Sequence, residues 1–135
     1  RYGGHTGGSD GIFVGTHPHP RAYGTFARYL GEYARTGLLS WWEVQEHLST
    51  LPAELFQLGH RGAVAPGWTA DLAVVDPDRV GARSTYAEPM LLAEGVDDVL
   101  VAGVPVLRDG ALTGATPGAG LRRTPFRHTD RTSGS

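Results

Sequence analysis

The chain has 135 residues, 40% of them hydrophobic and 19% charged, with a formal net charge of −2. This is the size and balance of about one globular domain, and the near-neutral charge provides no electrostatic footprint for nucleic acid or a polybasic membrane contact. The absence of cysteine excludes disulfides, thiolate metal ligands and a cysteine nucleophile from these residues.

No apolar run approaches the ~20 residues of a bilayer-crossing helix. The chain opens on Arg1 and its only methionine is Met90. The expectation is therefore that further residues precede it or have been removed. Residues 1–21, rich in Gly, His and Pro, read as loop with one short extended piece at Ile12, Phe13 and Val14. Over residues 22–36, Phe26, Tyr29, Leu30 and Tyr33 recur at i, i+3, i+4 and i+7, which predicts an amphipathic helix. Gly37 suits the left-handed residue that ends it.

Ser40 with Glu43 three residues on is the pattern of a capping box and predicts a second helix start, with Val44, Leu48 and Leu51 on its inner face. Trp41 and Trp42 fall in its first turn and suit core or interface packing. Pro52 fits the first turn of a further short helix that Gly59 would end.

After Gly59 the pattern changes. Residues 70–76, ADLAVVD, form an apolar run bounded by Asp-Pro and predict a buried strand. Residues 97–112 predict strand, Ala-Gly turn, strand and Asp-Gly turn, a hairpin or meander. The segment between, 77–96, shows no period. From Thr124 the chain is polar and the expectation is a disordered tail. Helices followed by lone strands do not make the alternating pattern of a complete barrel or doubly wound sheet.

Few residues carry chemistry by type and spacing. Asp10, framed by Gly8, Ser9 and Gly11, could approach a metal or act as a base, but Ser-Asp-Gly is also a common turn and that reading comes first. His17 and His19 stand at the i, i+2 spacing that can share a metal on an extended strand. Pro18 and Pro20 impose a polyproline-like period that spoils this shared facing, so a pocket rim is the better reading. Arg21 can grip a carboxylate through two parallel hydrogen bonds, or stand as a solvated surface charge. His5, His47, His60 and His128 show no ligand spacing.

Taken in order, GGSDGI, HPHPRAYGTFARYLGEYAR, EVQEHLSTLPAELFQL, GWTADLAVVDPDRV, TYAEP and EGVDDVLVAGVPVLRDGALTG resemble the C-terminal end of the N-acyl-D-amino-acid deacylases, the D-aminoacylase branch of the amidohydrolase superfamily. The resemblance runs from about His5 to Arg123. The ADL and VAGVPV elements mark amidohydrolases generally; SDG, HPR-x-x-G-x-F and TYAEP are particular to the deacylases.

The resemblance implies an α/β fold. Residues 1–58 would be the end of a catalytic (β/α)8 barrel, with GGSDG at the mouth of strand eight and the helix after it. Residues 59–123 would contribute strands to a small β-sandwich, and 124–135 would be tail. It implies a cytoplasmic zinc hydrolase that cleaves N-acyl-D-amino acids to a carboxylate and a free D-amino acid, with no nucleic acid or membrane partner. Zinc would polarise the acyl carbonyl and lower the pKa of a bound water. Asp10 would be the catalytic acid–base, standing at the edge of the zinc site and counted as a candidate metal ligand, and Arg21 would hold the substrate α-carboxylate. The remaining zinc ligands of that family have no counterpart here, so the chain alone is expected to be incomplete, inactive, and poorly folded or self-associating. The competing readings are a truncated inactive product with an interaction role, or a hydantoinase- or dihydroorotase-like amidohydrolase, against which HPR-x-x-G-x-F speaks.

Overall fold

The computed structural model describes residues 4–123. The expected polar tail, residues 124–135, lies outside the described residues, as does His128. The first described stretch, residues 5–14, forms no strand. No strand is formed at GGSDG, where the resemblance implies the mouth of a barrel strand, or at Ile12, Phe13 and Val14, and all three of those apolar side chains are exposed. The physical reason is that strand backbone needs a ladder partner for its N–H and C=O groups, and the described neighbours of this segment are helical and not strands.

The first helix, α1 (Arg21–Arg28), runs directly into a π-helical turn over Tyr29–Ala34. Gly37 ends this helical stretch at φ 70°, as its sequence position predicts. The chain reversal there lets the Leu39 N–H donate to the Tyr33 carbonyl at 3.0 Å. Ser40 then caps α2 (Trp41–Gln45) with a complete capping box. The Glu43 N–H donates to Ser40 Oγ at 3.2 Å, and the Ser40 N–H donates to Glu43 Oε2 at 2.7 Å.

A second π turn, Glu46–Thr50, joins α2 to α3 (Leu51–Leu55). Pro52 does open the first turn of α3, but no break separates the two helices; the helical path continues from Trp41 to Leu55. It ends at Gln57, which takes φ 55° ahead of Gly59.

The helical core is small. Ala34, Leu39 and Val44 are buried, with Tyr29, Leu30, Tyr33 and Leu48 packed around them. Val44 is fully buried on the inner face expected for it, worth about 1.5–3 kcal/mol. Phe26 and Trp42 are exposed, so on these residues they serve a surface rather than the core.

The strands β1 (Leu72–Val75), β2 (Val96–Val101), β3 (Val104–Arg108) and β4 (Ala111–Leu112) form one antiparallel sheet in sequence order. This is the meander that the turn pattern predicts. Val101 pairs with Val104 around Ala102-Gly103, and Arg108 pairs with Ala111 around Asp109-Gly110. Both central residues of each turn have positive φ, the mirror-image turn that suits the right-handed twist of strands. A sandwich would need a second sheet, which the described residues do not contain.

Asp71, just before β1, organises the sheet end. Its Oδ1 accepts the Ala102 N–H at 2.8 Å and its Oδ2 pairs with Arg61. The Gly103 N–H donates to the Ala70 carbonyl at 2.9 Å. Helices and sheet meet at Val80, which is fully buried. Gly31 on the first π turn and Gly95 before β2 both lie against the Val80 backbone, where any Cβ would collide. Gly24 faces the Ser84 side-chain hydroxyl, and Arg35 Nη1 donates to the Asp78 carbonyl at 2.8 Å.

Candidate functional site

The two residues singled out by sequence come together. Arg21, the first residue of α1, places Nη2 3.1 Å from Asp10 Oδ2. Asp10 sits at φ 46°, a left-handed conformation that aspartate tolerates better than most side chains. The Gly11 N–H donates to Ser9 Oγ at 3.2 Å, and Gly11 lies so close to Ala22 that a Cβ there would come within 2.9 Å of the Ala22 Cα. The glycine thus lets the loop press on the start of α1 and brings Asp10 within reach of Arg21.

The Asp10 side chain is 88% exposed and that of Arg21 40%. A pair so open to solvent contributes little stability; its importance is placement. Arg21 also has unused capacity: its Nε is buried and meets no acceptor among the described residues. A guanidinium offers five N–H donors, so it can hold Asp10 and still bind a second anion.

Beside Arg21 opens a cavity of about 430 Å³, lined among others by Arg28, Tyr29, Tyr33, Ser84 and Tyr86. Arg28 is engaged with Glu32 at 3.3 Å.

His17 and His19 do not form a metal pair. His17 Nε2 donates to the Tyr86 carbonyl at 2.7 Å. His19 Nδ1 accepts the Arg21 N–H at 3.1 Å, and its Nε2 lies 3.0 Å from Tyr86 Oη. The rim role expected for the histidines thus has a partner, Tyr86, which the resemblance marks within TYAEP but to which sequence reasoning gave no role. The Ser84 hydroxyl adds a third tie, donating to the Pro20 carbonyl at 3.0 Å. His5 and His47, without a role by spacing, stack at 3.9 Å between ring centroids. The His47 Nδ1 bonds the His5 carbonyl at 2.8 Å, fastening the opening segment to the second π turn.

No group of three or more His, Cys, Asp or Glu side chains converges as a metal site among the described residues. No helix among them is long and apolar enough to cross a membrane.

No family model matches the sequence. Individual proteins do. A D-aminoacylase from Alcaligenes xylosoxydans xylosoxydans is 42% identical over 118 residues, which is 87% of this chain and 24% of that protein. A crystal structure of D-aminoacylase, described as defining a novel subset of amidohydrolases, superimposes with a TM-score of 0.83 at 41% identity over 86% of this chain. Over most of its length the chain is similar to a segment of the D-aminoacylases. It spans about a quarter of the length of the proteins it matches. Another of these, the N-acyl-D-glutamate deacylase from Bordetella bronchiseptica with zinc and a phosphonate mimic of the tetrahedral intermediate, superimposes with a TM-score of 0.73 at 41% identity, over 75% of this chain and 22% of that one. At this identity the D-aminoacylase match also carries the α/β fold of the segment, helices followed by an antiparallel sheet.

Proposed function

We propose that this segment supplies one edge of the active site of an N-acyl-D-amino-acid deacylase, a hydrolase that splits the amide bond to release a carboxylate and a free D-amino acid. Residues 1–58 are read as the end of the catalytic (β/α)8 barrel and 59–123 as its β-sandwich segment. The observation that carries the functional reading is the 3.1 Å approach of Arg21 to Asp10 in a chain this similar to D-aminoacylase.

The chemistry follows from the pair. Arg21 holds the α-carboxylate of the substrate with the N–H groups that Asp10 leaves free. The scissile nitrogen hangs on the same Cα as that carboxylate, so this grip brings the amide beside Asp10. Asp10 takes a proton from the attacking water and returns it to the leaving nitrogen, general base and then general acid at one oxygen. The guanidinium also keeps the carboxylate in place without needing a second anchor.

The matched deacylase structure contains zinc. Asp10 offers one carboxylate to such an ion, but the described residues do not by themselves fit one, because no further ligands converge on it.

The test is Asp10→Asn in the complete gene product that carries this segment, assayed on N-acetyl-D-amino acids. Loss of kcat by about 10²–10⁴-fold with the fold intact is expected. Retention of most of kcat would remove Asp10 from the mechanism.

A further inference from the structure

Tyr86 lies far along the chain from the Asp10 and Arg21 pair, yet it holds the loop that aims Arg21. The residue before Arg21 is Pro20, which has no N–H, and α1 has no side-chain cap on its N-cap residue. The Arg21 N–H is instead taken by His19 Nδ1 at 3.1 Å. A ring nitrogen that accepts must be unprotonated, so in neutral His19 the proton sits on Nε2. That proton points at Tyr86 Oη, 3.0 Å away, and the two rings meet edge to face at 5.1 Å. The same tyrosine accepts His17 Nε2 at its backbone carbonyl. His17 and His19 are therefore fastened to one residue, with buried Pro18 between them.

From these contacts we infer that Tyr86 is a positioning residue for substrate recognition. It fixes the tautomer and orientation of His19, His19 fixes the backbone at Arg21, and the guanidinium is thereby set against Asp10. In this role Tyr86 acts through His19 and not on the reacting atoms. The inference rests on the reading of Arg21 as the residue that binds the substrate carboxylate. It also accounts for a tyrosine that is largely exposed and contributes nothing to the core.

The experiment is a set of variants in the complete gene product, with KM and kcat measured on an N-acetyl-D-amino acid. Tyr86→Phe keeps the ring and removes the hydroxyl. It is expected to raise KM about three- to tenfold, the worth of one hydrogen bond, while kcat changes by less than about twofold. His19→Ala should raise KM at least as much. His19→Asn, whose side-chain oxygen can occupy the place of Nδ1, should recover most of the loss. In an Arg21→Ala background Tyr86→Phe should have no further effect, which a merely structural role would not produce. If Arg21→Ala raises KM and Tyr86→Phe does not, the positioning role is wrong while the Arg21 reading stands. An equal effect of Tyr86→Phe with and without Arg21 also overturns it. If Arg21→Ala leaves KM unchanged, the functional reading fails and this inference fails with it.

Discussion

Gly31 on the first π turn lies directly against the carbonyl of Val80, with no room for a Cβ between them. Gly95 closes on the nitrogen of the same residue. The Val80 backbone is therefore clasped between a helix and the start of β2, and it joins the two halves of the chain.

Gly31→Ala should destabilise the protein. In an open helix this change gains up to about 1 kcal/mol from propensity. Here the obstacle is backbone, which cannot swing aside, and overpacking of this kind costs about 1–3 kcal/mol. Gly37→Ala provides the contrast: its surroundings are open, and the cost, about 1–2 kcal/mol, comes only from φ 70°. Denaturant melts of both variants, with Gly31→Ser as a second probe of the clasp, check the distinction. A Gly31→Ala variant as stable as wild type would show that the clasp yields.

Asp71 is expected to govern stability and not turnover. Asp71→Ala leaves the exposed Ala102 N–H to water and frees Arg61, at a cost of about 0.5–1.5 kcal/mol. Asp71→Asn keeps an acceptor for Ala102 and should cost less. Thermal melts give the ranking, and kcat should stay within about twofold for the folded protein. A large fall in kcat with an unchanged melt would place Asp71 in the chemistry instead.

Arg21 and Asp10 should separate kinetically. Arg21→Ala should raise KM with a smaller change in kcat, whereas Asp10→Asn should lower kcat. Arg21→Lys keeps the charge but loses the planar fork, so its KM should fall between those of wild type and Arg21→Ala. The comparison is made on one N-acetyl-D-amino acid and on an N-acyl amine that lacks the α-carboxylate; the Arg21 effect should be absent on the second.

The 135 residues by themselves should self-associate and bind no zinc tightly. Ile12, Phe13, Val14, Trp42 and Phe56 are all exposed, and no described cluster offers three ligands. Sedimentation velocity and zinc calorimetry on the purified chain test both halves. A monodisperse monomer with tight one-to-one zinc binding would contradict the expectation.

The local features were legible in the sequence because their causes are local. Ser40 and Glu43 cap a helix with groups three residues apart, Gly37 supplies a left-handed φ, and Asp109-Gly110 makes the turn its residues favour. The pairing of Asp10 with Arg21 was expected only as two roles in one family site; its geometry depends on the close pass of Gly11 to Ala22. The remainder depends on long-range contacts. The π turns carry no motif of their own. Gly24 and Gly31 look like blemishes in a helix until Ser84 and Val80 are brought against them. Tyr86 is 67 residues from His19, so no window on the sequence contains both. The residue pattern of 1–21 reads as loop and the described part of it forms no strand; the strand mouth at GGSDG was implied by the resemblance alone, and a strand needs a neighbour to pair with.

The two tight turns of the sheet also differ in what they depend on. Asp109-Gly110 favours its shape by residue type and is held further by β2, whose Asp97 carbonyl and Asp98 Oδ1 accept its two N–H groups. Ala102 reaches φ 50° against its own preference, and the bonds that hold its corner come from Ala70 and Asp71, about 30 residues away. The β2–β3 corner therefore depends on β1 being in place more than the β3–β4 corner does.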